Sequence, residues 1–273
     1  PSIFPALSKE EAMEISGIYS AAGLLSQENP IMKTRPFRTP HHTASPKALA
    51  GGGQIPRPGE ITLAHKGILF LDELPEFSRA ALETLRQPLE AHKICISRIN
   101  GTYEFPADFL LVAAMNPCPC GYHGDPTHEC SCRPDQRARY QARVSGPMLD
   151  RIDVHVEVPA VPYADLRQGR AGEGSAAMRE RVLAARTVQR QRYGADGPHC
   201  NAELSGALPD EHCALDAAGH DLMEAAVNRL ALSARACARV LRMARTIADM
   251  EGRQRIDTTH LAEAVSLRVL DRG

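Results

Sequence analysis

The chain has 273 residues, 43% hydrophobic and 24% charged, with a formal net charge of −1, 4% aromatics and no Trp. That is the composition of an ordinary globular protein of one large or two small domains with an aliphatic core, and it excludes a globally basic nucleic-acid binder, so any basic surface has to be local. No apolar run reaches membrane-spanning length and no signal peptide opens the chain, so a cytoplasmic protein without a membrane partner is expected.

The chain starts at Pro1 rather than Met, which suggests a fragment or processed piece. Ser8 predicts a helix N-cap, with Glu10 and Glu11 in the first turn and Ala12, Ile15 and Ile18 on one face; Gly23 is the expected stop. Residues 29–59 hold no Asp or Glu but carry Lys33, Arg35, Arg38, Lys47, Arg57, His41 and His42. Six prolines and Gly51–Gly53 predict a mostly irregular, basic loop with a glycine hinge, either a phosphate-facing loop or a solvated surface. Residues 59–65 read as extended.

Ile68–Leu71 is an apolar run of strand length, expected to be buried on both faces, and Asp72 and Glu73 follow it at once. Carboxylates at the carboxyl end of a parallel strand are well placed for chemistry. The pattern is that of a Walker B segment, in which Asp72 helps hold Mg²⁺ and Glu73 orients the water that attacks a γ-phosphate. The plainer alternative is a strand ending in a polar turn. A helix should follow, capped by Ser78, with Leu82, Leu85 and Leu89 inward and Pro88 at its last turn or a kink. Residues 93–105 read as a hairpin around Asn100-Gly101, carrying Lys93 and Arg98 either as a finger for nucleic acid or as charges that keep an edge soluble.

Phe109–Ala114 predicts a second buried strand, with Asn116 just past its end, able to orient a water or merely to start a turn. Cys118, Cys120, Cys130 and Cys132 form two close pairs that fit a tetrahedral Zn²⁺ site, with His123 or His128 as possible substitutes and redox-active or inert thiols as the alternatives. Alternation of Ile152, Val154, Val156 and Val158 predicts a half-buried strand. Arg151 at its start either pairs with Asp150 or Asp153 or reaches a neighbouring subunit's nucleotide. Residues 161–174 read as a linker and 175–273 as a helical domain. Its clearest helix carries Cys237, Val240, Leu241, Ala244, Ile247 and Ala248 on one face and Arg235, Arg239 and Arg242 on another.

Together these pieces resemble the AAA+ ATPases of the helix-two-insert group, and within it the magnesium chelatase-like bacterial proteins of ComM type. The resemblance rests on Pro36-Phe-Arg-Thr-Pro-His-His42, Pro58-Gly-Glu-Ile-Thr-Leu-Ala-His65, Ala114-Met-Asn-Pro-Cys-Pro-Cys-Gly121, Ser145-Gly-Pro-Met-Leu-Asp-Arg-Ile-Asp153 and Ala244-Arg-Thr-Ile-Ala-Asp249, and it spans nearly the whole chain. It implies a parallel α/β core over residues 1–160, N-terminally truncated, with a basic insert at 29–66, the hairpin and the cysteine cluster, followed by a small helical lid. It implies ATP and Mg²⁺ as cofactors, a homo-hexamer, and DNA as the partner of a branch-migration motor. Asp72 and Glu73 would be Walker B, Asn116 sensor one and Arg151 an arginine finger acting in trans. Arg235 would be sensor two, with Arg239 as the fallback. The Gly51–Gly53 segment and the 93–105 hairpin would face the pore, making Lys47, Arg57, Lys93 and Arg98 DNA contacts. Two other functions stay open: the ATPase subunit of a metal chelatase, and a zinc-stabilised interaction module. No Gly-x-x-x-x-Gly-Lys-Ser/Thr occurs in the chain. The 273 residues alone are therefore expected to hydrolyse no ATP, and their sheet to lack the strand that precedes that loop in the family.

Overall fold

The computed structural model describes all residues except 54–55, 99–100, 126, 160, 162, 164–166, 168–171, 206–210 and 269–273, together with the side chain of Arg98. The chain divides into two compact units: Ala6–Arg151 with Pro1, and Ile152–Gly273 with Ser2–Pro5. Much of the expected linker, and the hairpin tip at Asn100, lie outside the described residues.

The first unit is α/β. Helix α1 (Lys9–Ala21) begins where a capping box forms: Ser8 Oγ accepts from Glu11 N, and Glu11 accepts from Ser8 N. Strands β1 (Phe37–Arg38), β4 (Ile68–Leu71) and β7 (Leu110–Ala113) form one parallel sheet in the order β1-β4-β7. Phe37 pairs with Ile68, and Ile68 with Leu110. Leu69 and Leu71 are fully buried and join Leu74, Leu82, Leu85 and Met148 in the core, with Leu111 and Ala113 packed against them. Each fully buried Leu contributes roughly 1.5–3 kcal/mol of transfer free energy.

Strand β4 is buried on both faces as expected, with Ile68, Leu69 and Leu71 buried and Phe70 partly so, whereas the buried strand expected over Phe109–Ala114 is corrected: β7 is buried on one face only. Phe37, stacked on Phe70 at 6.2 Å, is 48% exposed, and Leu110 is 49% exposed. On β7 the alternate side chains divide, Leu110 and Val112 exposed and Leu111 and Ala113 packed on the core, so this strand has one solvated face, which an unbroken apolar run does not reveal.

The basic 29–66 stretch is more ordered than its Pro/Gly content predicts. It contains helix α2 (Pro46–Ala50), capped by Ser45, and a hairpin of β2 (Gly51–Gly52) with β3 (Arg57–Pro58). A Cβ on Gly51 would stand 2.3 Å from Arg57 O, so Gly51 serves close backbone approach rather than a hinge. Residues 60–63, expected extended, form a short helix α3 (Glu60–Leu63), with Ile61, Thr62 and Leu63 all buried, a run of three that the two-residue alternation of a half-buried strand does not provide. Helices α4 (Arg79–Glu83), capped by Ser78, and α5 (Pro88–Ala91) break where Pro88 starts a new turn. The antiparallel hairpin of β5 (Lys93–Arg98) and β6 (Gly101–Pro106) follows. Helices α6 (Pro134–Gln141) and α7 (Gly146–Leu149) complete the unit.

The second unit is helical: α8 (Ser175–Tyr193), α9 (Ala217–Leu230), α10 (Ala234–Met250) and α11 (Thr258–Ser266). The caps are Asp216, Ser233 and Asp257. Val240, Ala244, Ile247 and Ala248 of α10 pack against Ala226, Leu230, Leu261 and Ala264. Among the described residues the strand expected over 152–158 is reduced to one bridge, from His155 to Arg268; His155 is buried, and Val156 and Val158 are exposed. Alternation alone does not make a strand; it needs a partner ladder. Among the described residues no helix is long and apolar enough to cross a membrane.

Candidate active site and metal centre

Because β1, β4 and β7 run parallel, the loops leaving their carboxyl ends share one edge of the sheet. Those loops carry His41 and His42 after β1, Asp72 and Glu73 after β4, and Asn116 after β7. Two backbone bonds tie the second loop to the third: Ala114 N donates to Leu71 O at 2.9 Å, and Leu74 N donates to Ala114 O at 2.9 Å. Asp72 and Glu73 are exposed, and Asp72 Oδ1 accepts from Glu73 N at 2.9 Å. Glu73 sits at φ +53, a left-handed conformation uncommon for a residue with a Cβ. Such strain costs of order 1 kcal/mol and persists where neighbours hold it.

One neighbour is His42, whose Nδ1 lies 2.8 Å from Glu73 Oε2. The His42 ring stands 4.1 Å from that of His41 and meets the buried Phe77 edge-on at 6.5 Å. Sequence reasoning passed over His42 as a site residue; its signal was a His-His pair just beyond a basic strand. Solvent-facing carboxylate oxygens suit a hard cation such as Mg²⁺. The phosphate cradle that ATP needs is not among these 273 residues, so ATP is only partly accommodated.

The arginines go to separate places. Arg151 is buried at the end of the first unit, 2.9 Å from Glu90 of α5 and bonded to Pro147 O. In the helical unit, Arg239 is ion-paired with Asp153, Arg242 donates to Leu204 O at 2.8 Å, and Arg235 is the exposed member of the stripe. Burial lowers the Arg242 pKa from its usual value. A feature that the stripe gave no hint of lies deeper: Asp249 is fully buried between Arg192 and Arg245 and accepts from Asn201 Nδ2 at 2.9 Å.

Of the expected DNA contacts, Lys47 on α2 and Arg57 on β3 are exposed and line one shallow groove of ≈ 340 Å³ with Gly51, Gly52 and Pro58. Lys93 is paired across the hairpin with Glu104 at 2.9 Å, and that hydrogen bond raises its pKa. The Arg98 side chain lies outside the described residues.

The four clustered cysteines come together. Cys118 Sγ lies 3.4 Å from Cys120 Sγ and 3.7 Å from Cys130 Sγ, Cys120 and Cys130 are 3.6 Å apart, and all four sulfurs fall within 4.8 Å. A zinc–sulfur bond of about 2.3 Å sets a tetrahedral edge of about 3.8 Å, so the donor set fits Zn²⁺. A backbone hydrogen bond from Tyr122 brings the Cys120 thiol down to about 5, while burial pushes Cys132 up to about 11. His128 turns away, stacked on Tyr122 at 4.9 Å, in a turn that Asp125 caps. The remaining cysteines, Cys95, Cys200, Cys213 and Cys237, are free and lie outside this cluster.

Comparison with known proteins places this arrangement in a family. The family model described as "Magnesium chelatase, subunit ChlI" matches residues 1–166, and that of the ChlI C-terminal part matches 172–268. Competence protein ComM of Haemophilus influenzae is 47% identical over 272 residues, covering 99% of this chain and 52% of that protein. Protein YifB of Escherichia coli is 44% identical over 271 residues, covering 99% of this chain and 52% of YifB. The magnesium-chelatase 67 kDa subunit of Chlorobaculum tepidum is 29% identical over 69 residues, 25% of this chain and 11% of the subunit. The chain thus spans about half the length of the curated relatives it matches from end to end. With its parallel α/β core, its helical second unit and these two family matches, the chain belongs to the magnesium chelatase-like family of AAA+ ATPases.

Proposed function

We propose that this chain is the catalytic-edge and lid portion of an ATP-driven, hexameric DNA motor of the branch-migration kind. The observation that carries the reading is the edge itself, where Glu73 sits beside Asp72 in a strained turn, bonded to His42, with Asn116 leaving the neighbouring strand. Asp72 would hold Mg²⁺, and Glu73 would orient and polarise a water. Zn²⁺ would fill the cysteine cluster. DNA is favoured as the partner by the acid-free 29–59 stretch with exposed Lys47 and Arg57 on adjoining elements, and by a relative whose name is competence protein. The 273 residues alone would not turn over ATP, because they lack the phosphate cradle.

A second reading, the ATPase subunit of a metal chelatase, is favoured by the description of both family models. The two separate on one assay, Mg²⁺-dependent ATP hydrolysis by a polypeptide carrying this chain behind its phosphate-binding loop. Stimulation by branched or single-stranded DNA supports the motor. Indifference to DNA, with stimulation by a porphyrin-binding partner, supports the chelatase.

A further inference from the structure

The cysteine loop joins two elements that bear on the sheet edge. Cys118 comes two residues after Asn116, and α6 begins two residues after Cys132. Both stems of the loop are tied to α6. Gln141 Nε2 donates to Pro117 O at 3.5 Å, and Arg137 Nη1 donates to Cys132 O at 3.0 Å. On the other side, Ala114 is bonded to the Glu73 loop through Leu74 N. Asn116 therefore hangs between two anchors, the sheet ladder at Ala114 and the sulfur cluster at Cys118.

Among the described residues, 114–133 form no regular helix or strand, and of the four thiols only Cys118 is fully buried. Ordering a loop of this length costs a closure entropy that grows as about (3/2)RT ln n, which a metal crosslink offsets. The sulfurs of Cys118, Cys120 and Cys130 are 3.4–3.7 Å apart, with that of Cys132 within 4.8 Å of each, well beyond the roughly 2.05 Å of a disulfide and close to the tetrahedral edge of a tetrathiolate metal site.

We propose that a zinc ion bound by Cys118, Cys120, Cys130 and Cys132 is the clip that holds Asn116 at the sheet edge, so that metal occupancy sets whether the hydrolytic edge is assembled. The hydrolytic consequence rests on the function proposed above; the metal site and its hold on Asn116 do not. In this role the cysteines are positioning residues, acting on the edge only through Asn116.

The test starts with the 273-residue chain. It is expected to contain one zinc per chain, and Co²⁺ in its place should give the visible bands of a tetrahedral tetrathiolate site. Stripping the metal with a chelator should speed hydrogen exchange of the amides of residues 115–121 by about tenfold or more, leave the β4 amides protected, and be reversed by Zn²⁺. The Cys132→Ser variant, which keeps three thiolates, should bind metal more weakly by more than the about 10–100-fold that loss of an outer-shell partner costs and show the same exchange pattern at low zinc. In a polypeptide carrying this chain and its phosphate-binding loop, C132S at low zinc should lower kcat with little change in the KM for ATP, as Asn116→Ala does, and the double variant should be no worse. Metal no higher than in a variant with all four cysteines replaced, unchanged exchange at 115–121, or loss of β4 protection together with the loop would each overturn the clip. A wild type that fails to hydrolyse ATP would overturn the function proposed above and leave the clip to be judged on metal content and exchange.

Discussion

Replacing Asp249 by Asn tests how the helical unit is held. Asp249 has no exposed side-chain surface; Arg192 donates to both its oxygens, one bond being 3.0 Å, and Arg245 Nε donates at 3.1 Å. Arg245 is itself 2% exposed. Asparagine keeps the shape but leaves two guanidinium groups without their anion, one of them buried. Breaking a buried pair from one side costs about 3–5 kcal/mol. At 1.36 kcal/mol per decade, even the lower figure raises the opening equilibrium of α10 roughly a hundredfold. The effect also has a pH signature. Burial alone would raise the Asp249 pKa, but hydrogen bonds from Arg192 and Asn201 and the nearby Arg245 charge hold it below its ordinary value. A carboxylate with a lowered folded-state pKa contributes stability that is complete above its unfolded pKa, about 3.9, and is lost as pH falls through the folded value. The D249N deficit should therefore be largest at neutral pH and shrink below about pH 4. Hydrogen exchange of the α10 amides, corrected for intrinsic rates, reads this locally, with the β4 amides as internal reference. A neutral-pH deficit under about 1 kcal/mol, or one that persists undiminished in acid, would refute the reasoning.

Two further outcomes follow from the first unit. Gly59→Ala would place a Cβ 2.3 Å from Gly51 N and 2.4 Å from Leu49 O, both backbone atoms that cannot swing aside. It should cost about 1–3 kcal/mol or more, seen as a lower denaturant midpoint, and a midpoint within error of wild type would contradict the close approach. Lys47→Ala and Arg57→Ala should each weaken DNA binding regardless of sequence and reduce the slope of log K against log salt by about 1; unchanged slopes in both would remove the groove from the DNA path.

Much of the fold was legible because it rests on local rules. The Ser8 to Glu11 capping box, the Ser78 and Asp257 caps, the apolar runs of β4 and β7 and the α10 stripe all state their structure within a few residues. The cysteine cluster was legible from spacing alone. What local pattern missed depends on distant partners. Residues 60–63 fold as a helix because three consecutive side chains are buried, which no period-two pattern anticipates. The 152–158 alternation was a strand pattern that finds one bridge, to Arg268, among the described residues. Composition hid the β2–β3 hairpin, in which Gly51 closes against the backbone of Arg57. The place of Asp72 and Glu73 at the carboxyl end of β4 was legible from the apolar run before them, whereas the pairing of His42 with Glu73 needs the parallel register that sets their loops side by side. The Arg192–Asp249–Arg245 cluster joins residues 57 positions apart, beyond the reach of any helical period.

The central claim is that Glu73 polarises the attacking water at this edge, and Glu73→Gln tests it most directly. In a polypeptide that carries this chain behind its phosphate-binding loop, the substitution should lower kcat for ATP hydrolysis by at least about 10²-fold, the scale of general-base loss, while nucleotide binding and Asp249-dependent stability stay as in wild type. A Glu73→Gln variant that hydrolyses ATP at the wild-type rate would contradict the account.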